Sequence, residues 1–277
     1  MVPPVARRFV AGETPAEALD HVRELNRDDV GALLNLLGEH YDERARARED
    51  ADAYCDLVDD IGATGLQATV SVKPTQLGLA ISEEVFRETL ARIVERAADR
   101  DTFVWIDMED YPYTDATLDA YEHHALADGN VGVCIQANLR RTRDDLERLA
   151  PLPGKVRLVK GAYSPPEDIA FQSASRVNQA FRRSLRFMFE HFEDGIAVGS
   201  HDPDMVDLAG GLHDEHGTPY EVQMLMGVRS EAQRELARDR DVAQYVPFGA
   251  AWLSYFYRRV RERKENALFA LRALVQG

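Results

Sequence analysis

The 277-residue sequence is 45% hydrophobic, enough for a large core, and sets 48 Asp and Glu against 33 Lys and Arg for a formal net charge of −15. That acidity disfavours nucleic acid and anionic lipid as partners, points to a small one, and suits a chain kept soluble in high salt. Two cysteines in unrelated contexts, Cys55 and Cys134, exclude a disulfide framework and read as a reducing compartment.

From the N-terminus, "MVPPVARRFVAGE" lacks an apolar signal core, and no run approaches the roughly 20 apolar residues that span a bilayer. A soluble, cytoplasmic protein is expected. A helix over 15–26 would make residues 1–29 a helical extension. Short apolar, β-rich runs then alternate with longer charged segments: "VGALLNLLGE", "LQATVSVKPTQL", "FVWIDMED", "VGVCIQANL", "VRLVKGAY", "IAVGSHD", "YEVQMLMG" and "VAQYVPFG". Helix-periodic segments lie between them at 43–61, 82–99, 114–127, 142–149, 173–192, 203–216 and 229–239. Continuous apolar strands alternating with helices predict a parallel sheet. Eight such units without a linker predict an α/β fold: one (βα)8 TIM-type barrel domain over 1–277, with a doubly wound sheet as the second choice.

The eighth helix would carry "SYFYRRVRERKEN". At about 100° per residue, Trp252, Leu253, Phe256, Tyr257 and Val260 fall on one arc, the expected core face. Tyr255, Arg258, Arg259 and Glu262 form a second arc beside it. Guanidiniums bordering a buried face are partly desolvated and can grip a carboxylate bidentately. A solvated basic stripe neutralised by acidic neighbours is the competing reading of the same stretch.

Polar residues gather where strands end, the edge at which barrels of this kind build their sites. Lys73 ends "VSVK", Asp107 ends "VWID", and Gln136 ends "VCIQ". Arg157 and Lys160 close "VRLVK", Ser200 and His201 close "AVGSH", and Tyr245 follows "VAQ". The mouth so formed sets Lys73, Arg157, Lys160, Arg258 and Arg259 against Asp107 and Glu262, so it should be net positive and bind an anion. Metal chemistry is disfavoured, because His201 and Asp202 have no second histidine at ligand spacing. Neither GxGxxG nor GxxxxGK[ST] occurs, although a barrel mouth can hold phosphates without them. Residue chemistry alone leaves three readings open. Lys160 or Lys73 could form a Schiff base in an aldolase-like barrel, the mouth could hold a flavin and a carboxylate substrate, or the barrel could bind carboxylates without catalysis.

The motifs taken in order resemble the proline dehydrogenase family, including the proline dehydrogenase domain of the bifunctional proline utilisation protein. The resemblance covers roughly residues 7 to 275. It rests on "RFVAGE", "SVKPTQLGL", "IDMED", "QANLRRT", "RLVKGAYSPPE", "HDP", "EVQMLMGVR", "YVPFG" and "YFYRRVRERKEN". It implies a distorted (βα)8 barrel with the eighth helix over the mouth, and FAD-dependent oxidation of L-proline to Δ1-pyrroline-5-carboxylate. It further implies electrons passed to a quinone-type acceptor, and because the sequence ends at 277 without an aldehyde dehydrogenase segment, the product is expected to be oxidised by a separate pyrroline-5-carboxylate dehydrogenase. Loose association with the inner face of the membrane would suit that acceptor.

By the same resemblance Arg258 and Arg259 clamp the proline carboxylate with Lys73, while Asp107 and Glu262 orient the cations and balance their charge. Tyr163, Leu225, Tyr245 and Tyr255 wall the pyrrolidine ring. Arg157 lies near flavin N5 and Gln136 bonds the ring, with further FAD contacts from Met108, Lys160, Gly161, Ala162, Ser200 and His201. Asp107 and Arg157 are the implied catalytic pair. The sequence departs from the usual family pattern at Phe248, where tyrosine is common, and at Gly199–Ser200, in place of Ala–Thr.

Overall fold

The structure, a computed structural model, describes residues 2–3, 6–163 and 165–257. Helix α1, Pro15–Asn26, starts where its residues dictate: the Thr14 hydroxyl accepts from the Glu17 backbone N–H, the Glu17 carboxylate accepts from the Thr14 backbone, and Pro15 opens the first turn. Eight strand–helix steps follow. Strand β1 (Val30–Leu36) leads to α2 (Arg44–Thr64), β2 (Ala68–Val72) to α3 (Glu83–Ala98), β3 (Val104–Ile106) to α4 (Thr114–Asp128), and β4 (Val131–Gln136) to α5 (Thr142–Leu149). Strand β5 (Lys155–Val159) leads to α6 (Ala174–His191), β6 (Ile196–Gly199) to α7 (Pro203–His216), and β7 (Tyr220–Leu225) to α8 (Ser230–Leu236). After β8 (Asp241–Phe248), residues 252–257 are again helical.

Every neighbouring strand pair is parallel, and β8 closes on β1 in a register running from Val30↔Val242 to Leu36↔Phe248. The expected TIM-type barrel is therefore the fold. Among the described residues, no helix is long and apolar enough to cross a membrane.

The strand runs read as apolar because their outward side chains pack the helices. Phe86, Leu90 and Ile93 of α3 and Phe181, Leu185 and Met188 of α6 are fully buried in that outer layer, and each such side chain contributes about 1.5–3 kcal/mol of transfer free energy. The barrel interior is a separate, smaller cluster of Leu33, Trp105, Ala197 and Ala243, with Phe103 and Tyr245 packed against it. Strand alternation places Ser71, Arg157 and Gln223 on this inner side too. Gly132 makes room for the large ring, because a Cβ there would lie 2.6 Å from Trp105 Cε3.

The final helix differs from its expected orientation. Tyr255 is buried with Phe9, Val10 and Leu37, and Trp252 and Phe256 pack on that group. Trp252 Nε1 donates to the Glu13 carboxylate at 3.1 Å, and the Phe9 and Phe256 rings are 6.0 Å apart. Leu253 and Tyr257, placed on the core face by periodicity, are instead 64% and 71% exposed. The N-terminal residues Phe9 and Val10 supply the packing surface, so the helix turns its Tyr255 edge inward. Val260, Arg258, Arg259 and Glu262 lie outside the described residues.

Candidate active site

Asp107 is the hub of the barrel mouth. It follows β3 directly, and its carboxylate accepts from four groups carried by three strands, β2 and its C-terminal end, β5 and β8. Ser71 Oγ of β2 donates to Oδ1 at 2.7 Å, and an Arg157 Nη from β5 donates to the same oxygen. Tyr245 Oη of β8 donates to Oδ2 at 2.7 Å, and Lys73 Nζ donates there at 3.1 Å. These fill the four lone-pair sites a carboxylate offers. Burial alone would raise its pKa, but Lys73 and Arg157, helped by the Tyr245 and Ser71 hydrogen bonds, outweigh burial and hold it well below the usual carboxylate range.

Lys73 is engaged just as fully. Its three N–H groups point at Asp107, at Tyr245 Oη (3.0 Å) and at Asn35 Oδ1 (3.3 Å). Burial opposes its charge, yet Asp107 and Glu109 raise its pKa above the ordinary lysine value. An imine-forming lysine needs the opposite shift, so the aldolase reading of Lys73 has no support in this environment. Lys160 is held by Asp202 at 2.7 Å.

Arg157 is 5% exposed and lies with Cζ 5.1 Å from the Trp105 ring centre and 5.9 Å from that of Tyr245. Burial works against its charge, and Cys134, Asp107 and Tyr245 more than restore it. Arg157, Lys73 and Tyr245, predicted from separate strand ends, are thus brought onto one carboxylate.

Around this hub the remaining predicted residues form a rim. Gln136 Nε2 donates to Glu109 O at 2.8 Å, and the Ala162 N–H donates to Gln136 Oε1 at 3.4 Å. Ser200 Oγ accepts from the Asp202 N–H, and His201 Nε2 accepts from the Leu225 N–H. Met108 is buried, and Tyr163 has its pKa raised by burial and by Glu109. Tyr255 reaches the mouth from the final helix, where with Lys73, Glu39, His40 and Ser254 it lines a cavity of about 260 Å³.

Among the described residues, the mouth is nearer charge balance than the sequence suggested. Glu39, Glu109 and Asp202 join Asp107 against Lys73, Arg157 and Lys160, with Arg46 at the cavity edge. Sequence spacing hid Glu109 because it sits only two residues beyond Asp107, yet turns to accept from the Thr75 N–H (2.7 Å) and Oγ (2.8 Å). Glu39, His40 and Glu109 each bring a donor atom within 4.8 Å of the others, although Glu109 is already occupied by Thr75. Ser71, Asn35 and Gln223 were also missed. Their signal was a polar residue inside an apolar strand run.

The rim offers polar contacts to a bound group. Asn138 Oδ1 is buried with no hydrogen-bond partner among the described residues. It faces Gly161, where a Cβ would lie 2.3 Å away, and Gly161 has φ +111°, a conformation open to glycine. The site therefore has a buried acceptor and a backbone cradle beside Gln136, Lys160 and Ala162.

Fold and hub together define a (βα)8 barrel with a buried Asp–Arg–Lys–Tyr cluster at its mouth. The family model described as proline dehydrogenase matches residues 18–272. Proline dehydrogenase 1 of Bacillus subtilis subsp. natto is 35% identical over 275 residues, covering 98% of this chain and 91% of that protein. Proline dehydrogenase of Deinococcus radiodurans is 33% identical over 284 residues, covering 99% and 91%. The crystal structure of proline utilization A from Bdellovibrio bacteriovorus, inactivated by N-propargylglycine, shares the fold with a TM-score of 0.83 at 21% identity. That likeness covers 92% of this chain and 32% of the larger protein, so the chain spans about a third of its length. The chain belongs to the proline dehydrogenase family: it is a flavin-dependent enzyme of proline oxidation, the first step of proline catabolism.

Proposed function

We propose that residues 1–277 form one barrel domain that binds FAD and oxidises L-proline to Δ1-pyrroline-5-carboxylate. The observation that carries this reading is the convergence of Lys73, Arg157 and Tyr245 on Asp107 in a chain of this family. Arg157, Gln136, Lys160, Gly161, Ala162, Ser200, His201 and the backbone at Met108 would hold the cofactor. FAD, when bound, supplies the two-electron acceptor for the hydride at proline C5 and passes the electrons on to a quinone-type acceptor.

The chain's own residues bind and orient the substrate. Arg258 and Arg259 grip the carboxylate as bidentate forks, and Glu262 orients them. Lys73 adds a fixed positive charge. With its N–H groups already placed on Asp107, Tyr245 and Asn35, it acts mainly through its field, or by exchanging the 3.3 Å bond to Asn35 for a substrate oxygen. Tyr163, Leu225, Tyr245 and Tyr255 close around the ring and exclude water, so that C5 is held in one orientation. The cations also lower the pKa of the bound amine, whose proton leaves to solvent. Asp107 has no free lone pair, so its part is to fix Arg157 and Lys73 rather than to take that proton.

The protein is read as cytoplasmic, with loose docking at the inner membrane face to reach the acceptor, and a separate pyrroline-5-carboxylate dehydrogenase takes the product. The test is the spectrum of purified protein. Noncovalent FAD should give a yellow protein bleached by L-proline under anaerobic conditions. A protein that stays colourless after incubation with FAD would overturn the reading, and borohydride trapping of an imine would return it to the aldolase class. Proline binding without bleaching would mark a carboxylate-binding barrel.

A further inference from the structure

Behind Arg157, on the side away from Asp107, the barrel interior continues as a polar column. Gln223 Oε1 of β7 accepts from an Arg157 Nη at 2.9 Å, and Gln223 Nε2 donates to Glu221 Oε1 at 2.5 Å. The second Glu221 oxygen lies 3.8 Å from Lys155 Nζ, at the N-terminal end of β5. Gln223 is 4% exposed, while Glu221 and Lys155 border the cavity at the opposite end of the barrel from the mouth.

This column gives an amide one allowed orientation. Glu221 offers only an acceptor, so it takes the Gln223 NH2 and turns the amide oxygen toward the guanidinium. A flipped amide would aim its NH2 at Arg157 and its oxygen at Glu221, losing both bonds. Arg157 is then fixed from two sides, by Asp107 after β3 and by Gln223 on β7. The Trp105 and Tyr245 rings flank it.

We infer that Gln223, oriented by Glu221, is a positioning residue that sets where the Arg157 guanidinium presents its charge at the barrel mouth. The inference deepens the proposed reading and rests on it, because it matters to the reaction only if Arg157 faces the flavin. Replacing Gln223 with leucine removes the Nη partner on the β7 side and leaves the guanidinium to Asp107 and Cys134. Replacing it with glutamate places a second carboxylate on Arg157 and offsets its charge. Glu221→Leu removes the acceptor that holds the amide, whereas Glu221→Gln still presents an oxygen to Gln223 Nε2.

Sulfite provides the test, since its equilibrium affinity for a bound flavin reports positive charge near the reactive edge and needs no turnover. It is titrated into FAD-loaded holoprotein and read by loss of flavin absorbance, with melting temperature measured alongside. Gln223→Leu and Glu221→Leu should each weaken sulfite binding roughly tenfold, the scale of coupling between residues in contact. Gln223→Glu should weaken it further, and Glu221→Gln should retain wild-type affinity. Arg157→Met separates the two ideas. If it leaves sulfite affinity unchanged, the placement of Arg157 in the proposed function fails. If it weakens sulfite while the Gln223 and Glu221→Leu variants bind as wild type does, this inference is overturned, even where those variants melt earlier. Glu221 is the more exposed of the two, so its leucine variant carries the test if Gln223→Leu does not fold.

Discussion

Asp107 and Tyr245 stand 138 residues apart in sequence and share a 2.7 Å hydrogen bond from the end of β3 to β8, with Lys73 bonded to both. The tyrosine thereby sits at a fixed height over the mouth, and the carboxylate keeps two buried cations in place.

Removing that carboxylate should be severe. Asp107→Ala would leave Lys73 and Arg157 as like charges with no common partner, and breaking a buried pair from one side typically costs about 3–5 kcal/mol. Denaturant unfolding should show a loss of that order, with proline oxidation falling in the variant that still folds. The sign of the pH effect follows from the lowered pKa. Stability from Asp107 is complete above the ordinary carboxylate range and is lost only as pH falls through its depressed folded value. Wild type and Asp107→Ala should therefore differ by a constant amount across neutral pH. A difference that vanished near neutrality would contradict the hub.

Glu109 has the opposite sign. Burial raises its pKa more than the Thr75 hydrogen bonds and Lys73 lower it. A carboxyl with a raised folded pKa binds protons more tightly when folded, so its contribution to stability falls as pH rises from the unfolded toward the folded value. Glu109→Gln keeps an acceptor for the Thr75 N–H and removes the charge. The variant should be more stable than wild type at neutral pH and lose that advantage in acid, a comparison made by melting temperature over a pH series.

Gly161→Ala tests the cradle. The new methyl would meet Asn138 and force a residue with a side chain into φ +111°, a strain of about 1–3 kcal/mol. Flavin occupancy after purification should drop sharply, with little change in far-UV circular dichroism. Full flavin content would show that the β5–α6 turn does not shape the cofactor site.

The barrel was legible because outward strand residues and helix faces follow simple periods. Strand-end residues were legible for the same reason: a lysine or aspartate closing an apolar run has no place in the outer layer. What the sequence hid lies inside the barrel. Ser71 and Gln223 look like interruptions of apolar runs, and only closure of the sheet brings them against Asp107 and Arg157. The final helix was misoriented because its burial is decided by Phe9 and Val10 at the other end of the chain, information that helical periodicity does not contain.

The proposed carboxylate clamp rests on Arg258 and Arg259. Arg258→Met and Arg259→Met should each raise the KM for proline, by the equivalent of about 2–5 kcal/mol if the pairs are desolvated. Lysine at either position should restore part of the loss, because a point charge lacks the fork. Wild-type KM and kcat in both methionine variants would make the stripe a solvated face.

In the proposed function, substrate choice rests on Tyr245. In the family resemblance its ring packs over the C4 edge of proline, where trans-4-hydroxy-L-proline carries its extra oxygen. The structure adds that its hydroxyl is tied to Asp107 and Lys73, so the ring cannot swing aside without breaking the hub. A fixed aromatic opposes the added hydroxyl through overlap and desolvation, and one such group is worth on the order of 10–200-fold in kcat/KM. Proline should therefore be preferred. Two variants separate ring from hydroxyl. Tyr245→Phe keeps the wall and loses the anchor, so its preference should persist while proline oxidation weakens. Tyr245→Ser removes the wall, so proline activity should fall and the preference narrow. Wild-type enzyme that oxidised both substrates with equal kcat/KM would leave Tyr245 as an anchor of the hub and place the selection of substrate on the carboxylate clamp.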